Sequence, residues 1–279
     1  MFTFTPDTNS SFNALNSQLE HRFHHGVSAN LQYTYSKSLD QISAEGPGFV
    51  TNQTYPIDDR TERGPSDYDA THNFRAYALW ELPIFRGRKD LLGKIVGGWQ
   101  LNGIYQFHSG FPWTPVASNL CPVLGATSLC PTRPLAYNGG ARNDYSTSAF
   151  LPPTSGDFQA LAGLAPGAPN PYFTLQTTGT APARPGIGRN SFRGPRYQDV
   201  DLSIVKEFAI TEGARIQLRM TAYNAFNKLN LAPFSFGSTS TIISSQCCGS
   251  PTPAANPLFG TATTGLAGRV LELQGRISF

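Results

Sequence analysis

The feature that most constrains the fold of this chain is a strict alternation of apolar and polar residues over long stretches. In the C-terminal segment RVLELQGRISF, Leu271, Leu273 and Ile277 fall on one side, and Glu272 and Arg276 on the other. A period of two is typical of a β-strand with one face in an apolar medium and the other in water. Soluble β-sandwiches and membrane barrels with an aqueous interior both build such strands.

The alternation recurs in seven segments, and none of the long segments has the period of a helix. Each runs for about 11 to 13 residues, whereas strands of globular proteins cluster near 5 or 6 and a tilted strand needs roughly 9 to 11 to cross a bilayer. The lengths therefore favour membrane-spanning strands. The segments are 13–23, 26–38, 72–83, 98–110, 196–208, 214–227 and 269–279.

The polar faces of these segments carry charged and amide side chains in mid-strand. A sandwich core would exclude such groups, whereas a water-filled lumen would accept them. Lys206 is an exception, because it interrupts the apolar face of its segment. We expect the following residues to face a lumen: Arg75, Glu81, Asp199, Asp201, Arg215, Gln217 and Arg219.

The connections between the segments alternate strictly between short and long. Bacterial membrane barrels place short turns on the periplasmic side and long loops outside, whereas a sandwich has no reason to alternate in this way. The pattern predicts an all-β antiparallel transmembrane segment of a barrel with long extracellular loops. The short connections are 24–26, 83–94 and 210–213, and the long ones are 40–68, 110–195 and 228–266.

Composition excludes several other classes of protein. The net charge of +3 is small and its basic residues are scattered, so no nucleic acid partner is expected. Charged residues make up 14%, below the quarter or so that is usual for soluble domains. No run approaches the ~18 apolar residues of a membrane helix, and no secretory signal is visible at the start.

Aromatic residues near the segment ends predict two girdles at the membrane interfaces. Those at the periplasmic ends are Phe23, Trp80, Phe85, Trp99, Phe208 and Phe279. Those at the outer ends are Tyr35, Tyr105, Phe107, Trp113 and Phe226.

The remaining site candidates are weaker. Cys121 and Cys130 could form a disulfide in an oxidising compartment. The histidines of the first turn lack partners at ligand spacing, so we expect neither a metal nor a cofactor, and no catalytic constellation is visible. The charges of DDRTER and DYD, within 58–69, could bind cations or substrate, but solvated loop charges are the favoured interpretation.

Several segments are similar to those of a known family. The stretch GIGRNSFRGPRYQDVDLSIVKEFAITEGARIQLRMTAYNAFNKLNL (186–231) resembles the C-terminal barrel of TonB-dependent outer-membrane receptors, specifically the Oar-like group. Three further stretches, LQYTYSKSLD, GPSDYDATHNFRAYALWELP and GGWQLNGIYQFHSGFPWTP, resemble other strands of that group in the same order.

The resemblance implies a 22-stranded barrel filled by an N-terminal plug, with energy supplied by a periplasmic partner that contacts the plug. It also implies that the terminal aromatic, Phe279, is recognised by the barrel assembly machinery. No plug or signal peptide is visible, and seven strands are a third of such a barrel. We therefore expect residues 1–279 to be the C-terminal part of a longer barrel domain in the bacterial outer membrane.

These features lead to one functional expectation and two alternatives. The first is a non-enzymatic wall segment of a receptor that takes up a large solute with external energy. The second is a small outer-membrane protein with structural or adhesive work that closes its barrel by self-association. The third is a secreted carbohydrate-binding β-sandwich.

Overall fold

A computed structural model gives the fold. It describes residues 8–43, 55, 58–84, 93, 96–120, 129–138, 173–175, 184–210, 213–234, 241–245, 254–255, 259–260, 262 and 264–279. Seven long strands dominate it: β1 (Ser11–His24), β2 (Val27–Asp40), β4 (His72–Glu81), β5 (Trp99–His108), β12 (Tyr197–Ala209), β13 (Arg215–Tyr223) and β16 (Val270–Ser278). The expectation of an all-β chain with seven long strands is confirmed.

The shorter elements lie between these strands. They are a 3-10 turn at Asp59–Glu62 and the strands β3 (Gly64–Pro65), β6 (Pro112–Trp113), β7 (Val116–Leu120), β8 (Leu129–Thr132), β9 (Ala136–Tyr137), β10 (Phe173–Thr174), β11 (Phe192–Arg193), β14 (Ile242–Ser245) and β15 (Ala254–Ala255). Among the described residues, no helix is long and apolar enough to cross a membrane.

The seven long strands form one antiparallel meander in the order β1-β2-β4-β5-β12-β13-β16. Each strand pairs with the one that precedes it among the seven. Within these seven strands, a single bulge, between His21 and His24, interrupts the register. Within the described residues, β1 and β16 each pair on one side only, so the sheet has two open edges.

The connections follow the predicted parity. At one end of the sheet lie three short turns. The first is a two-residue hairpin in which His25 and Gly26 have φ of 50° and 84°, as a type I′ turn requires. The third is closed by the Ile210 N–H, which donates to the Ala214 carbonyl at 2.9 Å. At the other end the chain leaves and rejoins the sheet through loop A (41–71), loop B (109–196) and loop C (224–269).

One face of the sheet is apolar, and no described part of the chain covers it. Across the strands, Leu31 lies beside Ala76, Ala76 beside Tyr105, and Tyr105 beside Val200, all on this face. Leu273 is 79% exposed there, and Leu15, Leu19, Leu218 and Ile277 are also exposed. A sandwich would bury this face under a second sheet, so its exposure argues against a secreted β-sandwich.

Lys206 is the cation that interrupts the apolar face, and the structure shows how it is accommodated. The side chain is 3% exposed, and its ammonium donates to the Gly97 carbonyl. Its Nζ lies 4.9 Å from the ring centroid of Phe208 and 5.8 Å from that of Trp99. The ammonium therefore ties β12 to the end of the short connection before β5 and lies over two aromatic rings, a cation–π arrangement.

The assignment of faces predicts opposite outcomes for the same side chain placed at neighbouring positions. Leu202 lies in the middle of β12 on the apolar face, over Gly103, and Ser203 lies on the polar face. Leu202→Arg should destabilise the protein in lipid vesicles by about 2–4 kcal/mol, because an arginine at mid-bilayer contacts lipid. Ser203→Arg serves as the matched control and should cost far less. Urea unfolding in vesicles measures both, and a larger cost at Ser203 would show that the faces are reversed.

Candidate functional site: the polar face and its arginine-tied loops

The polar face is organised as rows of side chains that run across the strands. In one row, Gln32, Arg75, Gln106 and Asp199 are register partners on four neighbouring strands. The next row toward the loops continues through Thr34, Asn73, His108 and Tyr197. Partners in register share a face of the sheet, so these rows form a continuous hydrophilic surface.

All seven residues expected to face a lumen lie on this polar face: Arg75, Glu81, Asp199, Asp201, Arg215, Gln217 and Arg219. Their orientation toward an enclosed lumen stays a prediction. Near the short turns, Glu81, Gln100, Val205, Glu207 and Gln217 line a recess of about 230 Å³. Arg215 forms an ion pair with Glu207 at 3.0 Å at its edge.

Loops A and B fold over the outer end of the polar face. Ser36, Ser38 and Asp40 are on the same face of β2 as Gln32, and all three are buried. Ser36 Oγ donates to the carbonyl of Ala70, and Ser38 Oγ bonds Ser66 Oγ at 2.8 Å. The described residues of loops A and B, here called the loop layer, therefore rest on the hydrophilic side of the sheet.

Arg189 lies at the centre of this layer and is 1% exposed. Its guanidinium forms an ion pair with Asp40 and donates from Nε to the Glu62 carbonyl at 2.7 Å. It also reaches Asp67 Oδ1 at 3.4 Å. Gly64 passes so close that a Cβ there would lie 2.4 Å from the Arg189 carbonyl oxygen, which explains a glycine at that position.

Two further arginines of loop B bind carboxylates of loop A. Arg133 pairs with Glu62 at 3.0 Å, and both side chains are 1% exposed. Burial lowers the pKa of Arg133, and the charge of Glu62 opposes that shift. Arg193 pairs with Asp69 at 2.6 Å, and the second oxygen of Asp69 accepts from the Ser38 N–H.

The favoured interpretation of the loop A charges as solvated is therefore wrong for Glu62 and Asp69. Both are buried and each is paired with an arginine from loop B. The sequence pattern missed these partners because they come from positions 71 and 124 residues away. One signal was present: Arg189 and Arg193 both lie within the GIGRNSFRGP stretch that carries the family resemblance.

Loops B and C share an apolar core. Its buried members are Trp113, Phe173, Ile187, Ile243 and Phe259. Strand β7 of loop B pairs in parallel with β14 of loop C, which brings the two loops into one body. The placement of Trp113 in an interface girdle is therefore wrong, because its ring is buried against Phe192, Phe234 and Phe259 within the loops.

Three asparagines of the YNAFNKLNL stretch fasten the outer ends of the last strands. The Asn224 N–H donates to Asp201 of β12, and its side chain bonds the backbone of Lys228 on both sides. Asn227 Oδ1 accepts the Arg269 N–H just before β16. Asn230 Oδ1 accepts the Gln198 N–H of β12. This asparagine clasp joins three strands through side chains.

The other predicted site residues are less defined. Phe279 follows β16 and is fully exposed. Its role as an assembly signal stays a prediction. Cys121 lies outside the described residues, and nothing is described of the side chain of Cys130. Phe85 also lies outside them. In the described part of the chain, no group of three or more histidines, cysteines and carboxylates could hold a metal ion.

The buried pairs predict a large loss when a single partner is removed. Arg189→Met leaves Asp40 buried without its cation, which typically costs 3–5 kcal/mol. Loops A and B should then loosen, and limited chymotrypsin digestion should cut them much faster than in the wild type. Arg184→Met is the matched control, because Arg184 forms an exposed pair with Asp58 at 3.8 Å. Equal cleavage of the two variants would contradict the role of Arg189.

Comparison with known proteins agrees with this geometry. The family model of the outer membrane beta barrel domain matches residues 1–272. No curated protein and no solved structure matches the chain. The match spans nearly the whole chain and accords with long antiparallel strands, one uncovered apolar face and long loops at one end. The chain thus belongs to the outer membrane beta barrel domain family, and its strands lie in the bacterial outer membrane.

Proposed function

We propose that the chain is a wall segment of a TonB-dependent outer-membrane receptor that takes up a large solute with external energy. The observation that carries the proposal is the loop layer tied over the outer end of the polar face by Arg133, Arg189 and Arg193. A solute that enters from outside meets these loops first and the hydrophilic rows next. An ordered layer in that position suits selective capture better than an open pore.

The fragment that resembles TonB-dependent receptors supports the same function. Residues 186–231 contain two of the three loop-tying arginines and the three asparagines of the clasp. The resemblance therefore coincides with residues that shape the outer mouth, as well as with the strands of the wall. In the complete receptor, a periplasmic energy-coupling protein would act through a plug inside the barrel.

The two open edges of the sheet favour one alternative function, that of a self-associating structural or adhesive protein. In the described part of the chain, β1 and β16 each present an unpaired side, and lipid does not tolerate unpaired backbone groups. Copies of this chain could pair edge to edge and form a structural or adhesive barrel. Such a barrel would conduct no energised uptake, so dependence on the proton-motive force separates the two functions.

The transport proposal is tested in cells that carry the gene in its native context. Deletion of the gene should abolish uptake of one member of a panel of ⁵⁵Fe-loaded siderophores, labelled cobalamin and ¹⁴C-labelled oligosaccharides. A protonophore should abolish the same uptake in wild-type cells, because the coupling protein draws on the inner-membrane gradient. Gene-dependent uptake that resists the protonophore would contradict energised transport and favour a passive pore.

The assembly role of Phe279 predicts a loss of inserted protein. Phe279→Ala should sharply lower the abundance of the heat-modifiable band in outer membranes, since unassembled chains are degraded in the periplasm. Phe279→Trp should largely restore it. Leu271→Ala is the control, because it removes an exposed apolar side chain from the same strand. If Phe279 only packs at the rim of the barrel, its side chain contributes to stability only part of the ~1.5–3 kcal/mol that full burial provides. Unchanged abundance in Phe279→Ala would mean that the ring is packing only.

A further inference from the structure

The acidic and basic side chains of the polar face differ in whether they make hydrogen bonds. On the strands from β4 to β16, the carboxylates accept hydrogen bonds. Glu81 accepts from Gln100, Asp199 from Tyr197, and Asp201 from the Asn224 N–H. Glu207 accepts from Arg215, and Glu272 accepts from Tyr223. Three guanidinium groups on the same face are exposed and have no hydrogen bond or ion pair within the described part of the chain. They are Arg75, Arg219 and Arg276.

Two of these three arginines lie together on β13 and β16. Arg219 is the register partner of Gln274, and Gln217 is the register partner of Arg276. The four residues therefore form a square in which the arginines are diagonal neighbours. Diagonal positions on paired strands are about 7–8 Å apart, within reach of two long side chains that converge on one small group. We call these four residues the donor square.

The local charge around the donor square is positive. On the polar face of β13 and β16, three arginines stand against Glu272 alone. Glu272 is held by Tyr223 Oη at 3.0 Å and by Gln274 Nε2 at 2.7 Å, and Arg215 is committed to Glu207. Of the other carboxylates, Glu207 of β12 is the register partner of Gln217 and is paired with Arg215, and the rest lie on β4 and β12. The uncommitted donors on these two strands are therefore those of Arg219, Arg276 and Gln217.

We propose that the donor square binds a carboxylate or phosphate group carried by the solute. The planar guanidinium presents a fork of N–H donors that matches the paired oxygens of these groups, and two forks can hold one anion between them. The Gln217 amide adds a neutral donor to the same site. The inference rests on the proposed function in one respect: the polar face must line the path of the solute.

The occupant is a single anionic group because of where the donors lie. Gln217, Arg219, Gln274 and Arg276 lie within paired β-strands, and the surface they form is one pair of strands wide. A site of this size fits one carboxylate or phosphate group. An acidic protein segment would need a longer track of cations, and Arg75 is four strands away from Arg276.

Binding is tested with the full chain in detergent micelles, with citrate and pyrophosphate as probes. The Nε–Hε signals of Arg219 and Arg276 in ¹H–¹⁵N spectra should shift saturably, and added sodium chloride should weaken binding. The double variant Arg219→Gln/Arg276→Gln should weaken the affinity about tenfold or more, since charge-assisted bonds are lost. Arg276→Lys should retain part of it. Arg269→Gln is the control outside the square, and its affinity should equal that of the wild type.

Three outcomes would overturn the site. They are the absence of saturable shifts, an equal loss of affinity in Arg269→Gln, and binding of a polyglutamate peptide without binding of citrate or pyrophosphate. The last outcome would identify a docking surface for a protein. The binding measurement needs no energised membrane. If the chain in micelles fails to bind the probes but cells still take up the solute, only the site is rejected. If the chain binds the probes but cells take up no solute, only the transport function is rejected.

Discussion

The structure depends on the ladder of backbone hydrogen bonds between neighbouring strands. Lipid offers no hydrogen-bond partner to a peptide group. The backbone N–H and C=O groups of each strand must therefore bond those of the neighbouring strands along the whole length of the wall. The meander does this through six successive antiparallel pairings with one bulge. Because register fixes which side each residue takes, the same ladder also separates an apolar face from a hydrophilic one.

In the loops beyond the strand pairings, ion pairs between charged side chains hold distant segments together. Loop A and loop B are distant in sequence, and their contact rests on Arg133, Arg189 and Arg193 rather than on strand pairing. Buried ion pairs add little net stability but penalise every arrangement that breaks them. In the loops they therefore act mainly to select one conformation, while the shared apolar core of loops B and C supplies the burial.

The sequence predicts the wall well and the loops poorly, for a physical reason. Strand alternation is local, so seven segments, their faces and the parity of their connections follow from a period of two. The pairing of Glu62 with Arg133 is a contact between residues far apart in the chain, and no local pattern marks it. Trp113 illustrates the same limit: its position beyond β5 suggests an interface residue, yet contacts from loop C bury it.

The asparagine clasp has a consequence for how such a chain can vary. At the base of loop C, Asn230, Leu231 and Ala232 pair with Leu266, Gly265 and Thr264 to form a closed stem. The clasp and this stem settle the outer ends of β12, β13 and β16 before the loop departs from the wall. Insertions or deletions between residues 233 and 263 therefore leave the strand register undisturbed. The wall can stay constant while the sequence and length of the loop change.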